Sequence, residues 1–150
     1  MNVRISGPWS REKVREHLER TVIPIRLGCT ASSGNPLVLS LWFVYRDGAL
    51  WCATQPDAAV TKHLRKNPRC AFEVARDEPP YRGVRGRGTA TIVPDEGANV
   101  LRQLLERYQG GTDTPLARWL LSRAEHEVAI RIQPERLTTW DFTERMQSAS

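Results

Sequence analysis

Residues 37–54 constrain the fold more than any other part of this chain. Residues 37–45 form a nearly continuous apolar run, the pattern of a strand buried on both faces, and Asp47-Gly48 then turns the chain back into 49–54. Asp-Gly suits the primed two-residue turns whose twist matches paired strands, so the two runs form an antiparallel hairpin and not part of a βαβ unit. Other strand patterns flank this hairpin. In residues 23–31, Ile25, Leu27 and Cys29 alternate with Arg26, Gly28 and Thr30; further on, Cys70, Phe72 and Val74 share one face. Residues 82–93 read as a long strand whose Gly83, Gly86 and Gly88 mark bends or bulges of the kind barrel corners need. Val128, Ile130 and Ile132 alternate in another strand, and residues 137–142 read as a last short one.

Helical signals lie between and around the strands. Ser10 caps a helix over residues 10–20, with Trp9 and Val14 placed for a hydrophobic staple and Val14 and Leu18 one turn apart. That stripe is narrow, which predicts a helix on a surface or against a partner subunit. Asp57 caps a short helix ending at Lys66, with Val60 and Leu64 inward and Asn67-Pro68 as its stop. In residues 95–108, Val100, Leu101, Leu104, Leu105 and Tyr108 make one stripe, and Thr114-Pro115 supplies a cap and an N1 proline for a second helix carrying Leu116, Trp119 and Leu120. Residues 143–150 are expected to be a flexible tail. The chain therefore reads as a single domain over 1–150, mainly β with flanking helices, an antiparallel six- to seven-stranded barrel.

Composition narrows the functional classes. Hydrophobic content of 40% and charged content of 26% are those of a globular domain. No apolar run reaches the ~20 residues of a membrane span, and the polar first 20 residues lack a secretory h-region, so the expected location is the cytoplasm. Cys29, Cys52 and Cys70 lie in apolar stretches without C-x-x-C spacing and are expected to be buried free thiols. His17, His63 and His126 have no companion at a metal-ligand interval, so no metal is expected. The formal charge of +5 is the sole argument for nucleic acid, and much of it alternates with acids, as in Arg11-Glu12, Arg15-Glu16 and Glu19-Arg20. No run suggests a nucleophile elbow; any catalysis would be a cofactor's, with the protein positioning it.

Five pieces in order carry a family likeness. Pro36-Leu37-Val38-Leu39-Ser40-Leu41-Trp42-Phe43-Val44-Tyr45 followed by Asp47-Gly48-Ala49-Leu50-Trp51-Cys52-Ala53-Thr54 resembles the pyridoxamine 5′-phosphate oxidase-like split β-barrels that bind flavins. Leu64-Arg65-Lys66-Asn67-Pro68-Arg69 and Pro80-Tyr81-Arg82-Gly83-Val84-Arg85-Gly86-Arg87-Gly88 are similar to the same family. So are Glu106-Arg107-Tyr108 with Gly110, and Thr139-Trp140-Asp141-Phe142, so the resemblance spans roughly residues 10–142. It implies a homodimer with two cofactor sites at its interface and a redox role on a small substrate. FMN or a deazaflavin would lie along the strand of Leu41, Trp42, Phe43 and Val44. Its phosphate would sit near Ala53 and Thr54 and the start of the next helix. A non-enzymatic member that holds a tetrapyrrole or flavin, or no cofactor at all, is the alternative.

The residues agree with this in part. The backbone N–H groups of Ala58, Ala59 and Val60 at a helix start suit a phosphate. The family, however, usually has one or two cations in that first turn, and here Asp57 would repel the phosphate. Lys62 lies about 200° around the helix from Val60 and points elsewhere. Arg82, Arg85 and Arg87 on the long strand are the nearest replacements. Two missing charge-assisted contacts at roughly 1.5–3 kcal/mol each weaken binding by about a hundredfold or more. Trp42 and Phe43 are equally consistent with barrel core, and Arg85 and Arg87, on one face with Thr89 and Thr91, with a solvated strand.

Overall fold

The computed structural model describes residues 3–148. The chain runs β1 (Arg4–Ser6), α1 (Arg11–Arg20), β2 (Ile25–Thr30), β3 (Pro36–Leu41), β4 (Val44–Arg46), β5 (Ala49–Thr54), α2 (Ala59–Lys66), β6 (Arg69–Ala75), β7 (Arg82–Val93), α3 (Gly97–Gln109), α4 (Pro115–Leu121), β8 (Val128–Asp141) and α5 (Thr143–Ser148). Seven strands form one antiparallel sheet in the order β3-β2-β6-β7-β8-β5-β4, and β1 adds parallel to β8. The sheet curls into a half-barrel around its core, with β3 and β4, consecutive in the chain, at its two ends. No helix among the described residues is long and apolar enough to cross a membrane.

The longest strands hold the sheet together. β7 pairs with β6 from Arg69↔Thr89 to Ala75↔Gly83, and with β8 along its whole length. On β8 the register slips by one residue between Gly88↔Pro134 and Arg87↔Arg136, leaving Glu135 as the extra residue of a bulge. Gly88 is required at this slip, because a Cβ there would strike the Gln133 carbonyl. The bend lets the first half of β8 pair with β5 and the second half with β1. Residues 128–141 are therefore one bent strand, and the two strands expected there are its two halves.

Three further expectations are corrected. Residues 37–45 are two strands, and β3 is a sheet edge: Leu37, Leu39 and Leu41 pack on the core, while Val38 stands 71% exposed on the outer side. An apolar outward row reads in sequence like a second buried face. Asp57 caps nothing. Ala58 holds the N-cap position without a side-chain bond, and the turn is closed by the Thr61 hydroxyl donating to the Gln55 carbonyl at 2.9 Å. Residues 143–148 form α5, started by Asp141 accepting the Thr143 N–H at 3.0 Å, and residues 149–150 lie outside the described residues.

The cap signals at Ser10 and Thr114 hold: their hydroxyls accept from Lys13 N–H and Ala117 N–H at 3.1 and 3.0 Å. Yet α1 does not wait for a partner subunit. Trp9, Val14 and Leu18 are buried in the chain's own main core with Ile25, Leu27, Phe43, Leu50 and Ile132. Fully burying a side chain such as Leu18 contributes about 1.5–3 kcal/mol. Arg107 of α3 fixes the other end of α1. Its guanidinium donates to the carbonyls of Leu18, Glu19 and Thr21, closing the helix C-terminus.

Candidate functional site

The strand break at Trp42-Phe43 has a definite cause. The Phe43 ring is fully buried in the main core, and its backbone N–H donates to the Tyr108 hydroxyl at 3.2 Å. That hydroxyl donates in turn to the Ile23 carbonyl at 2.8 Å, with the Phe43 carbonyl 3.2 Å away. Phe43 therefore has neither its ring nor its N–H to offer a ligand. The Trp42 indole stacks on the Tyr108 ring at 5.0 Å and 8° between planes. Glu106-Arg107-Tyr108 is thus structural wording, tying α3 to α1 and to the β3–β4 junction.

Trp42 lines a pocket of about 320 Å³ with Ser40, Leu41, Ala53, Leu101, Leu104, Leu120 and Glu127. The sequence brought Leu41, Trp42 and Ala53 forward, and the structure does put these three together. Sequence reasoning missed Glu127. The residue is 7% exposed, and its carboxylate accepts from Gln55 Nε2 at 3.1 Å. Burial pushes its pKa up, against a weaker pull down from Arg123. Gly97 fixes its place, since a Cβ there would strike the Glu127 carbonyl, so α3 starts directly against this residue. The one signal was a glutamate abutting the Val128–Ile132 apolar run.

A second feature crosses the outer face of the sheet. A groove of about 580 Å³ has a floor of Gly28, Ala71 and Gly86, with Val38 on one side and four arginines, Arg26, Arg85, Arg87 and Arg136, about it. Gly28 and Ala71, on the outer side of β2 and β6, leave the depression, and only Glu73 among its lining residues is acidic. Arg85 also lies over the Trp140 ring at 5.5 Å. One hydrogen bond links the lining of the groove to that of the Trp42 pocket: Arg26 Nη1 donates to Ser40 Oγ at 3.1 Å.

The remaining candidates fall elsewhere. Val60 is core, and Val44 pairs with Trp51 in a second apolar cluster. Thr54, at the end of β5, pairs with Val128. The Ala58 N–H is taken by the Gln55 carbonyl at 3.2 Å. Ala59 and Lys62 line a depression on the outside of α2 with Asp57, His63 and Arg65. Arg82 is paired across the sheet with Asp141, away from Arg85 and Arg87, which do share the groove. Cys29, Cys52 and Cys70 are buried free thiols; burial pushes Cys52 and Cys70 up to about 12, which keeps them protonated and unreactive. Among the described residues no group of three or more His, Cys, Asp or Glu is arranged to hold a metal.

With this geometry in view, the comparisons are decisive on ancestry. The family model described as pyridoxamine 5′-phosphate oxidase matches residues 10–140. The chain belongs to the pyridoxamine 5′-phosphate oxidase family. Similar solved structures of this family's fold include a conserved hypothetical protein from Mycobacterium tuberculosis, at 23% identity and TM-score 0.80, covering 97% of this chain and 93% of that one. A protein described as an F420 reductase is 25% identical, with TM-score 0.70 and coverage of 87% and 97%. A heme storage protein from Vibrio cholerae is 19% identical, with TM-score 0.65 and coverage of 85% and 92%. No curated protein matches the sequence. The oxidase-family barrel is thus shared by proteins whose descriptions differ, and this chain's own residues must decide the ligand.

Proposed function

We propose that this protein binds a flavin-type cofactor, FMN or a deazaflavin, in a redox role, with the cofactor laid along the outer side of β3. The observation that carries this reading is that β3 runs from the arginine groove, at Val38, to the Trp42 pocket, at Ser40 and Leu41. Val38, Ser40 and Trp42 follow one another on β3 and just beyond it, spaced about 7 Å apart, and the Arg26–Ser40 bond marks the join. A planar ring fits beside Ser40 and Trp42, and a phosphate fits among Arg85, Arg87 and Arg136, whose planar forks suit its oxygens. The free edge of β3 leaves backbone N–H and C=O groups for the ring's polar rim. When bound, a flavin supplies hydride or electron transfer; the protein's part is to hold it and shield one face of its ring.

The phosphate end moves from α2 to the groove for a physical reason. The α2 start has Asp57 beside it, no cation in its first turn, and the Ala58 N–H already bonded. The groove lining has four guanidiniums and one carboxylate, and of the four Arg26 is also paired with Asp77 at 3.7 Å. Two copies meeting on this face would cover Val38 and complete the cofactor's second wall, the homodimer expected from the family. The similar structures described as an F420 reductase and as an FAD-binding protein from Mesorhizobium loti support a flavin-type ligand. A tetrapyrrole is less well served: His17 is bonded to the Val74 carbonyl, His126 is exposed beside Glu125, and His63 faces the α2 depression. Titration with FMN, followed by flavin fluorescence quenching, tests the proposal.

A further inference from the structure

We propose that the Trp42 pocket binds a small apolar organic cation, an amine on a hydrocarbon or aromatic body, with the Glu127 carboxylate as its counter-ion. The walls are Leu41, Leu101, Leu104, Leu120 and Trp42, and the volume of about 320 Å³ lies at the small end of ligand pockets. Glu127 is the one charged residue in that lining.

Its surroundings leave the charge incomplete. Gln55 Nε2 serves Oε2, while Oε1 takes no hydrogen bond from any described residue. No described cation comes within ion-pair distance, although Arg123 is close enough to act on the carboxyl through space. Glu127 as a residue is only 7% exposed, and its carboxylate, held by one neutral amide, keeps Oε1 open to the pocket. The backbone pins it, because α3 begins at Gly97, in contact with the Glu127 carbonyl. An ammonium set against Oε1 supplies the missing partner. Trp42, backed by the Tyr108 ring, gives that cation an aromatic surface, and the leucines take the apolar body.

The same lining excludes other classes. No basic residue lines the pocket, so a small carboxylate finds no partner within it. The site needs no flavin. It is argued from the pocket and its carboxylate alone, and it stands or falls separately from the cofactor reading.

Calorimetric titration of flavin-free protein with phenethylamine and with phenethyl alcohol, near neutral pH, tests it. The two probes share an apolar body and differ in the charge. The amine is expected to bind at least about tenfold more tightly than the alcohol. Glu127→Gln is expected to lower amine affinity at least about tenfold and alcohol affinity by less than about twofold. Glu125→Gln, which alters an exposed neighbouring carboxylate, should bind both probes as wild type does. Thermal melts establish that each variant is folded. Equal affinity for amine and alcohol, no amine binding by the folded wild type, or an equal loss in Glu125→Gln would overturn the proposal.

Discussion

The Tyr108 hydroxyl takes the place of a strand neighbour for Phe43, accepting its backbone N–H at 3.2 Å across 65 residues of sequence. One phenol thereby ends β3, permits the turn into β4 and keeps the Trp42 indole stacked against α3. Tyr108→Phe keeps the ring and removes the oxygen. A buried N–H left unpaired costs about 1–3 kcal/mol, so the variant is expected to unfold at correspondingly lower denaturant. Unchanged stability in a urea melt would show that water or the Ile23 segment serves Phe43 instead.

The stability of the protein should carry a pH signature from Glu127. Burial holds its carboxyl above the ordinary glutamate range. Between the unfolded value of about 4.3 and the higher folded one, the native chain binds more protons than the unfolded chain, so this group makes stability fall as pH rises. The loss is complete above the folded pKa and absent below the unfolded one. Glu127→Gln is therefore expected to melt higher than wild type at neutral pH, with the gap closing toward pH about 4. A variant that melts lower at neutral pH would mean that the charge is already paired.

Gly97→Ala pits two effects against each other. In a helix, alanine is favoured over glycine by about 1 kcal/mol. Here the added Cβ would strike the Glu127 carbonyl, and relieving overpacking of that kind costs about 1–3 kcal/mol. The clash should win, giving a destabilised protein whose amine affinity also falls because the carboxylate is displaced. A stabilised variant would show that α3 shifts freely past Glu127.

The burial of Val14 and Leu18 within the chain removes one reason to expect a dimer, and leaves Val38 and the open edge of β3 as the other. An exposed edge strand with an apolar outer row invites pairing or cover. Sedimentation at micromolar concentration is expected to give twice the 17.1 kDa chain mass, and Val38→Glu to shift it toward one chain. A wild-type mass of one chain would restrict the cofactor site to a single subunit's residues.

Local signals carried most of the architecture. The Asp47-Gly48 hairpin, the caps at Ser10 and Thr114 and the alternation in β2, β6 and β8 each depend on neighbours a few residues away. The errors arose where distant residues decide. The break at Phe43 depends on Tyr108, the bend at Glu135 on the slip against Gly88, and β1 on three parallel pairs with Arg136, Leu137 and Thr138. Glu127 was hidden for the same reason, since Gln55 bonds it and Trp42, Leu101 and Leu120 share its pocket from separate parts of the chain. The arginines were legible singly, but nothing local told that Arg85 and Arg87 join Arg26 and Arg136 while Arg82 faces Asp141.

The flavin reading is tested most directly by titrating FMN and riboflavin into wild type, Arg85→Ala and Arg87→Ala, read by flavin fluorescence quenching. FMN is expected to bind wild type with micromolar affinity. Each arginine variant should weaken FMN by about tenfold, the size of one charge-assisted contact, and leave riboflavin, which has no phosphate, nearly unchanged. Equal losses for the two ligands would place the phosphate outside the groove, and no binding of either by folded protein would contradict the flavin reading itself.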